Sequence, residues 1–216
     1  MNSLEPFVFH TERRLVGLTG VKARNLSELV KGLRDLPGST IFFHTHQMYL
    51  AHHFETPTFT NDFALWASVA LKEHTLAEKL MAIDLLSFTS IRQLRKTIVK
   101  IIEDEVHEEE RALWACQEGE EFHFCKSKSF IMPTHLTASD PKEFFEVLPR
   151  VSNESIFFHF FEAQLRMGRP GNDFSQWLEK AQDRQLADAI KNLDPYRVTL
   201  DEFKDQIIAL GKGRGA

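Results

Sequence analysis

The apolar positions near the start of the chain recur with the period of an α-helix. Leu26, Leu29, Val30 and Leu33 are spaced i, i+3, i+4 and i+7, which places them on one helical face. The overlapping stretch Asn-Leu-Ser-Glu, which begins at Asn25, supplies an N-cap residue and an acid three positions later. This pattern predicts an amphipathic helix with a defined start.

Helix-start signals recur along the chain. Capping boxes begin at Thr75, Ser90 and Thr199, and Asp140 is followed by Pro141 at a position that suits the first helical residue. Together with the apolar periodicity, they predict five helices in each half of the chain. The predicted helices lie near residues 25–35, 39–54, 61–72, 75–83 and 90–117, and near 140–150, 153–168, 172–181, 183–193 and 199–211.

Two short segments instead have the alternation of a β-strand. They are the Phe-x-Phe sequences at 7–9 and 122–124, and the second continues in an extended pattern to Phe130. A short strand or β-hairpin is therefore predicted to open each half. Because helices account for most of the remaining pattern, the predicted fold class is all-α.

The second half of the chain repeats the first. When Phe7 is aligned on Phe122, the next positions align without a gap as far as His44 and His159, and ten of the 38 pairs are identical. After a four-residue deletion, the Asn-Asp-Phe-x-x-Trp sequence that starts at Asn61 recurs at Asn172. We interpret this as a tandem duplication of a five-helix unit, with the copies expected to pack about a pseudo-twofold axis.

An acidic segment separates the two copies. Residues 103–121 hold nine acidic residues against one basic residue, Arg111, which is typical of a solvated helix face. We therefore predict a helical unit at 1–102, an acidic helical linker at 103–121, a second helical unit at 122–211 and a disordered tail at 212–216.

Composition narrows the classes of function. The chain has 216 residues, 43% of them hydrophobic and 26% charged, as in an ordinary globular protein. We expect no nucleic-acid binding, since no basic stripe is interleaved with aromatic residues, and no membrane span, since the apolar runs are short. The N-terminus lacks a signal-peptide pattern, and Cys116 and Cys125 form no Cys-x-x-Cys motif, so we expect a cytoplasmic protein.

Four stretches of the sequence are distinctive in combination. They are Leu-Thr-Gly-Val-Lys-Ala-Arg-Asn-Leu-Ser-Glu-Leu at 18–29, His-Thr-His at 44–46 followed by His-His-Phe at 52–54, Asn-Asp-Phe-Ala-x-Trp at 61–66, and Leu-Asp-Pro-Tyr-x-x-Thr-Leu at 193–200. Together they resemble an uncharacterised bacterial and archaeal family that is catalogued only as a domain of unknown function. The resemblance covers nearly the whole chain. It implies a prokaryotic cytoplasmic protein and no particular activity.

Four histidines cluster on the second predicted helix, at His44, His46, His52 and His53. Because His46 and His53 are seven residues apart, they share a face, and with His52 they are the candidate ligands of a divalent metal. The i, i+4 spacing typical of a helical zinc pair is absent, and the second half has Phe161 in place of His46. The alternative interpretation is that these histidines are hydrogen-bonded residues of an aromatic core.

A histidine, an Asn-Asp pair and a tryptophan occur at matched positions in both halves. Asn or Asp before an apolar helix is the preferred N-cap, which favours a structural role for the pair. Alternatively, each aspartate pairs with the histidine of its own half and orients the imidazole for acid–base chemistry. The candidate cleft residues are His44, His159, Asp62, Asp173, Trp66 and Trp177.

Two hypotheses describe the function. The first is a non-enzymatic cytoplasmic binding or scaffold protein that takes a small molecule or peptide in an aromatic, histidine-lined cleft between the two units, with assembly into a homo-oligomer as an option. The second is a metal-assisted or histidine-dependent hydrolase with its site on the second helix of the first unit. A divalent metal is the only cofactor that either hypothesis includes.

Overall fold

The computed structural model describes residues 4–51, 59–105, 112–195 and 198–212, and both halves open with a long strand followed by helices. The first half contains β1 (Phe7–Ala23), α1 (Leu26–Asp35), α2 (Gly38–Phe42), a π-helical turn (Phe43–Gln47), α3 (Met48–Ala51), α4 (Asp62–Val69), α5 (His74–Met81), a 3₁₀ turn (Leu85–Ser87) and α6 (Ile91–Glu105). The second half contains β2 (Phe122–Ala138), α7 (Pro141–Val147), a 3₁₀ turn (Leu148–Arg150), α8 (Asn153–Phe160), α9 (Ala163–Met167), α10 (Asp173–Lys180), α11 (Arg184–Lys191) and α12 (Leu200–Lys212).

The predicted all-α fold class is wrong. Strands β1 and β2 are each 17 residues long and pair with one another in a two-stranded antiparallel sheet. The sequence pattern identified the Phe7–Phe9 start of β1 and the part of β2 as far as Phe130. Beyond Phe9 and Phe124 most strand residues are exposed or half-buried, so apolar and polar positions stop alternating regularly. The fold therefore has a helical majority combined with a sheet.

The helix predicted over 90–117 is shorter in the part of the chain that the structure describes. Helix α6 is described as far as Glu105, and residues 114–117 are not helical. The described helices include none that is long and apolar enough to cross a membrane.

The chain divides into two compact units that do not coincide with its two halves. The C-terminal unit consists of the described residues up to Arg13 together with those from Ser129 onward. The N-terminal unit consists of the described residues from Arg14 to Lys128. Each strand therefore begins in the unit formed by the helices of the other half and ends in the unit formed by the helices that follow it.

In the C-terminal unit, the aromatic pair that opens β1 packs into the helices of the second half. The Phe7 ring lies 5.6 Å from that of Phe174 and 5.7 Å from that of Trp177, measured between ring centroids. The Phe9 ring stacks on Phe144 at 5.4 Å. Both phenylalanines are buried, so they are part of this unit's core.

The N-terminal unit has the corresponding arrangement. Phe122, at the start of β2, stacks on Phe63 at 5.3 Å and meets Trp66 edge-on at 5.7 Å. Phe124 is buried and lies against helix α1. The Phe-x-Phe segment of each half thus completes the core built by the helices of the other half.

The helix starts predicted at Asn25, Asp140 and Thr199 form, whereas the capping box predicted at Thr75 does not, because α5 begins at His74 with Glu73 as its N-cap residue. The Asn25 side chain accepts a hydrogen bond from the Glu28 amide at 2.9 Å, and the Glu28 carboxylate accepts one from the Arg24 amide at 2.7 Å. Asp140 and Glu143 make the same pair of bonds at the start of α7. These bonds satisfy backbone N–H groups that lack partners inside the helix, and they define where the helices begin.

Helix α1 approaches Phe124 so closely that only a glycine fits at position 32. A Cβ atom at Gly32 would lie 2.4 Å from the Phe124 ring. Although alanine is the better helix former by about 1 kcal/mol, we expect Gly32→Ala to lower the free energy of unfolding by about 2 kcal/mol because of this overlap. Urea denaturation would measure the change. The exposed neighbour Lys31→Ala is the control, and a Gly32→Ala variant as stable as that control would contradict the close packing.

Candidate functional site

The histidine shared by the two halves follows an Ile-Phe-Phe sequence in each of them. His44 is in the π-helical turn that follows α2, and His159 is in α8. Both are buried, with 3% of their surface exposed. The partner aspartates, Asp62 and Asp173, are the first residues of α4 and α10. The structure brings each histidine and aspartate together within one unit.

The asparagine and the aspartate of each Asn-Asp pair have separate roles. The side chain of Asn61 caps α4 by accepting from the Ala64 amide at 2.9 Å, and that of Asn172 caps α10 by accepting from the Ser175 amide at 2.8 Å. The following aspartate is thereby left to contact the histidine. Sequence analysis treated the cap and the histidine contact as alternatives, and the two occur together.

In the N-terminal unit, both ring nitrogens of His44 are bonded. Its Nδ1 lies 2.8 Å from Oδ2 of Asp62, and its Nε2 lies 2.9 Å from the backbone nitrogen of Cys125 in β2. A backbone amide can only donate, so Nε2 is the acceptor and carries no proton. The proton is therefore on Nδ1 and is donated to Asp62. His44 is a neutral imidazole that links a strand to the start of α4.

His159 makes the corresponding bonds in the C-terminal unit. The backbone amide of His10 in β1 donates to its Nε2 at 2.8 Å, and its Nδ1 lies 2.7 Å from Oδ2 of Asp173. Burial lowers the pKa of His159 and outweighs the opposing effect of Asp173. Both the geometry and the direction of this shift describe a neutral imidazole.

Asp173 has a second partner, Arg166, in the last turn of α9. Nη2 of Arg166 donates to Oδ2 of Asp173 at 2.5 Å and to the Phe158 carbonyl at 3.1 Å. The guanidinium also lies over the Phe158 ring, 3.9 Å from its centroid. Burial raises the pKa of Asp173, but the hydrogen bonds from His159 and Arg166 and the Arg166 charge more than offset it. The net pKa lies below its usual range, so Asp173 is a carboxylate.

The two tryptophans fix the strand starts. The Trp66 indole donates to the Glu120 carbonyl at 2.7 Å, and the Trp177 indole donates to the Glu5 carbonyl at 2.8 Å. Each tryptophan thus holds the backbone that leads into the Phe-x-Phe segment of its unit. Sequence analysis predicted cleft residues here, and the indoles are 7% exposed at the edge of a pocket.

Each unit has a pocket beside its histidine, aspartate and tryptophan. The C-terminal pocket has a volume of about 980 Å³. It is lined by Leu4, Glu5, Pro6, Phe7, Val8, His10, Ile131, Phe158, His159, Arg166, Asp173, Gln176, Trp177 and Lys180. The N-terminal pocket has a volume of about 440 Å³. It is lined by His44, Asp62, Leu65, Trp66, Val69, Ala70, Glu120, Glu121, Phe122 and His123.

Sequence analysis missed several residues of the C-terminal pocket, above all Arg166, Gln176 and Lys180. A signal for two of them exists, because Gln176 and Lys180 follow Asp173 at i+3 and i+7 and so share its helical face. Arg166 has no such signal. It reaches Asp173 only because α9 ends at Gly168, whose φ of 65° turns the chain back towards α10.

The predicted metal ligands do not form a metal site in the described part of the chain. His52 and His53 lie outside the described residues. His46 is buried, and its Nδ1 lies 3.0 Å from the Thr45 hydroxyl, which itself donates to the Ile41 carbonyl. No group of three or more histidine, cysteine or acidic side chains among the described residues is placed to hold a metal ion.

His46 instead occupies the position of an aromatic core residue. Its ring stacks on Phe42 at 5.3 Å, just as Phe161 stacks on Phe157 at 4.9 Å in the other half. Within the described residues its Nε2 is buried without a hydrogen-bond partner. Burial, followed by the nearby charge of Arg14, lowers the pKa of His46 to about 4. His46 is therefore uncharged at neutral pH.

The two Asp–His pairs give a test of the tautomer. Asp62→Ala removes the acceptor for His44 Nδ1–H and should cost about 1–3 kcal/mol of unfolding free energy. Asp62→Asn keeps an acceptor for a neutral imidazole and should cost less than about 1 kcal/mol. The matched change Asp173→Asn should cost more than Asp62→Asn, because Arg166 also loses its charged partner. Chemical denaturation measures all three variants. An equal loss of unfolding free energy in Asp62→Asn and Asp62→Ala would mean that His44 is a charged partner of Asp62.

The stability of the protein should also depend on His46 in acid. Between its ordinary pKa of 6.5 and its folded pKa of about 4, the unfolded chain binds a proton at this position that the folded chain does not. Folding stability should therefore fall as the pH drops through this window, by about 3 kcal/mol from this residue. His46→Phe introduces the residue type that the second half has at Phe161. It should abolish the loss of folding stability that comes from His46. Denaturation curves at several pH values measure it, with the exposed His135→Gln as control. An unchanged pH dependence in His46→Phe would rule out this origin.

Comparison with known proteins agrees with the resemblance found in the sequence. No curated protein matches the chain. Among solved structures, the chain is similar to OrfY from Thermoproteus tenax, with 27% sequence identity and a TM-score of 0.83 over 100% of this chain and 98% of that one. A family model matches residues 4–212, which is nearly the whole chain. The chain belongs to the family of unknown function DUF5752.

Proposed function

We propose that this protein is a non-enzymatic binding protein that holds a small molecule in the C-terminal pocket. The expectation from sequence was a ligand in a cleft between two units. The proposal keeps the function class and moves the site into one unit, where a pocket with a defined lining already exists.

The observation that carries the proposal is the size and lining of the C-terminal pocket. Its volume of about 980 Å³ lies at the upper end of the range typical of small-molecule sites. Val8, Ile131 and Phe158 contribute apolar surface, and a comparable share of the lining is polar, including Arg166, Asp173, Gln176 and Lys180. In binding sites apolar contacts provide affinity, and polar groups fix the orientation of the ligand.

The state of the histidines favours binding over catalysis. A general base needs a ring nitrogen with a free lone pair, and a metal ligand needs the same. In His44 and His159 the lone pair of Nε2 already accepts a backbone N–H, and Nδ1–H is donated to a carboxylate. The hydrolase alternative therefore gains no support from these two residues.

The N-terminal pocket supplies a contrast at matched positions. Gln176 and Lys180 line the C-terminal pocket where the first half has Leu65 and Val69. The N-terminal pocket is also less than half as large. We infer that the two halves arose by duplication and that their pockets then diverged, with ligand binding retained or acquired in the C-terminal unit. Two free cysteines, Cys116 and Cys125, fit the cytoplasmic location that we propose for it.

Occupancy of the pocket can be tested with a neutral fluorescent dye, N-phenylnaphthylamine. We expect saturable binding of one dye per chain to the wild-type protein. Gln176→Trp fills the pocket and should weaken dye binding by about tenfold or more. Leu65→Trp makes the same change at the matched position of the N-terminal pocket and should leave the dissociation constant within about twofold of the wild-type value.

Fluorescence titration at equal protein concentration distinguishes the outcomes. Absence of stoichiometric dye binding would overturn the proposal. Equal binding by the wild type and Gln176→Trp would also overturn it, because the dye would then be bound elsewhere on the surface.

A further inference from the structure

We infer that the C-terminal pocket takes an apolar or aromatic molecule that carries an oxyanion, such as a carboxylate or phosphate group, and that Arg166 binds this group. The inference rests on the proposed function and names the chemical class of the ligand.

Arg166 is held in place before any ligand arrives. Its Nη2 donates to Asp173 and to the Phe158 carbonyl, and its guanidinium lies over the Phe158 ring, 3.9 Å from the centroid. These contacts fix the plane of the guanidinium, so a ligand would not have to order a flexible side chain. A fixed planar fork is the arrangement that suits carboxylate and phosphate oxygens.

Arg166 also has hydrogen-bond donors to spare. A guanidinium has five N–H groups, and two bonds of Arg166 use Nη2 alone. Within the described residues, Nε and Nη1 have no bonded partner, and the side chain is 33% exposed at the pocket. The remaining N–H groups can therefore donate to a bound anion.

The other charges of the pocket do not cancel this preference. Asp173 faces Arg166 but already accepts from both Arg166 and His159. Lys180 lies at the exposed end of α10 and, among the described residues, has no ion-pair partner. Glu5 lies at the exposed strand start, where water and salt screen its charge. Arg166, beside Lys180 at the rim, is therefore the cation that a bound anion would meet.

The N-terminal pocket is acidic, whereas in the lining of the C-terminal pocket Glu5 and Asp173 are balanced by Arg166 and Lys180. The lining of the N-terminal pocket includes the carboxylates of Asp62, Glu120 and Glu121 and contains neither lysine nor arginine. Residues 47–60 correspond to the segment of the second half that contains Arg166, and they include neither lysine nor arginine. An anion is therefore expected to distinguish between the two pockets, whereas a neutral apolar molecule would do so only by size.

The rest of the C-terminal pocket suits the apolar part of such a ligand. An apolar part of the wall is formed by Val8, Ile131 and Phe158, and the edge of Trp177 adds an aromatic surface. Ile131 is 53% exposed and Val8 is 37% exposed, so both have apolar area that a ligand could cover.

A matched pair of dyes tests the inference. Anilinonaphthalene sulfonate has the aromatic body of N-phenylnaphthylamine with an added sulfonate, which stands in for the oxyanion. We expect Arg166→Gln to weaken sulfonate-dye binding by about tenfold, the loss that follows when hydrogen bonds to a charged group are removed. Binding of the neutral dye should change by less than about twofold. The exposed Arg184→Gln, outside the pocket, is the control and should affect neither dye.

A second variant and a second measurement cover the case in which Arg166→Gln fails to fold. Lys180→Met, at the rim, should weaken sulfonate-dye binding by about threefold and leave the neutral dye unaffected. In the wild type, added sodium chloride should weaken binding of the sulfonate dye and not that of the neutral dye.

The outcomes separate the inference from the proposed function. If the neutral dye binds in the pocket but the sulfonate dye shows no dependence on Arg166, Lys180 or salt, the anion inference is overturned and the binding function stands. If the Gln176→Trp variant binds both dyes as the wild type does, the pocket itself is not the site. Weaker binding of the sulfonate dye, with binding of the neutral dye retained, supports both the anion inference and the proposed function.

Discussion

The structure depends on a neutral histidine that joins a strand amide to a carboxylate. In each unit a buried backbone N–H of the strand donates to Nε2, and Nδ1–H of the same ring donates to the aspartate that begins a helix. The histidine side chain thereby joins a strand amide and the start of another helix to its own core helix. Leaving any of these polar groups unpaired in the core would cost about 1–3 kcal/mol, so the histidine, the aspartate and the strand register support one another.

The same strands bring aromatic residues to the helices of the opposite half. Phe7 and Phe9 complete the core around Phe144 and Phe174, and Phe122 and Phe124 complete the core around Phe63. Neither set of helices has a full core from its own half of the sequence. The indole N–H of each tryptophan then binds the carbonyl just before the Phe-x-Phe segment, which fixes where the strand enters. Burial of these large rings is the main source of stability in each unit.

Because the histidines, aspartates and tryptophans make structural bonds, the differences between the two pockets lie in the residues next to them. The framework of the two pockets is shared, while the pocket rims differ in charge and volume. Arg166 shows how such a difference arises. It gives Asp173 a cationic partner in addition to His159, whereas in the first half Asp62 accepts from His44, and Arg166 also lines the pocket. These differences at the rim leave the histidine bonds that hold the fold in place.

Local pattern in the sequence was sufficient for most helix starts and several caps, but not for the cap predicted at Thr75 or for the end of the helix predicted over 90–117. Asn25 with Glu28 and Asp140 with Glu143 act over a few residues, so periodicity and cap chemistry identify them. The length of the strands, the unit to which each Phe-x-Phe segment belongs and the position of Arg166 were decided only by the tertiary structure. His10 and His159 are 149 positions apart, and Cys125 and His44 are 81 apart. Contacts at such separations depend on where the whole chain folds back, and no local spacing records them.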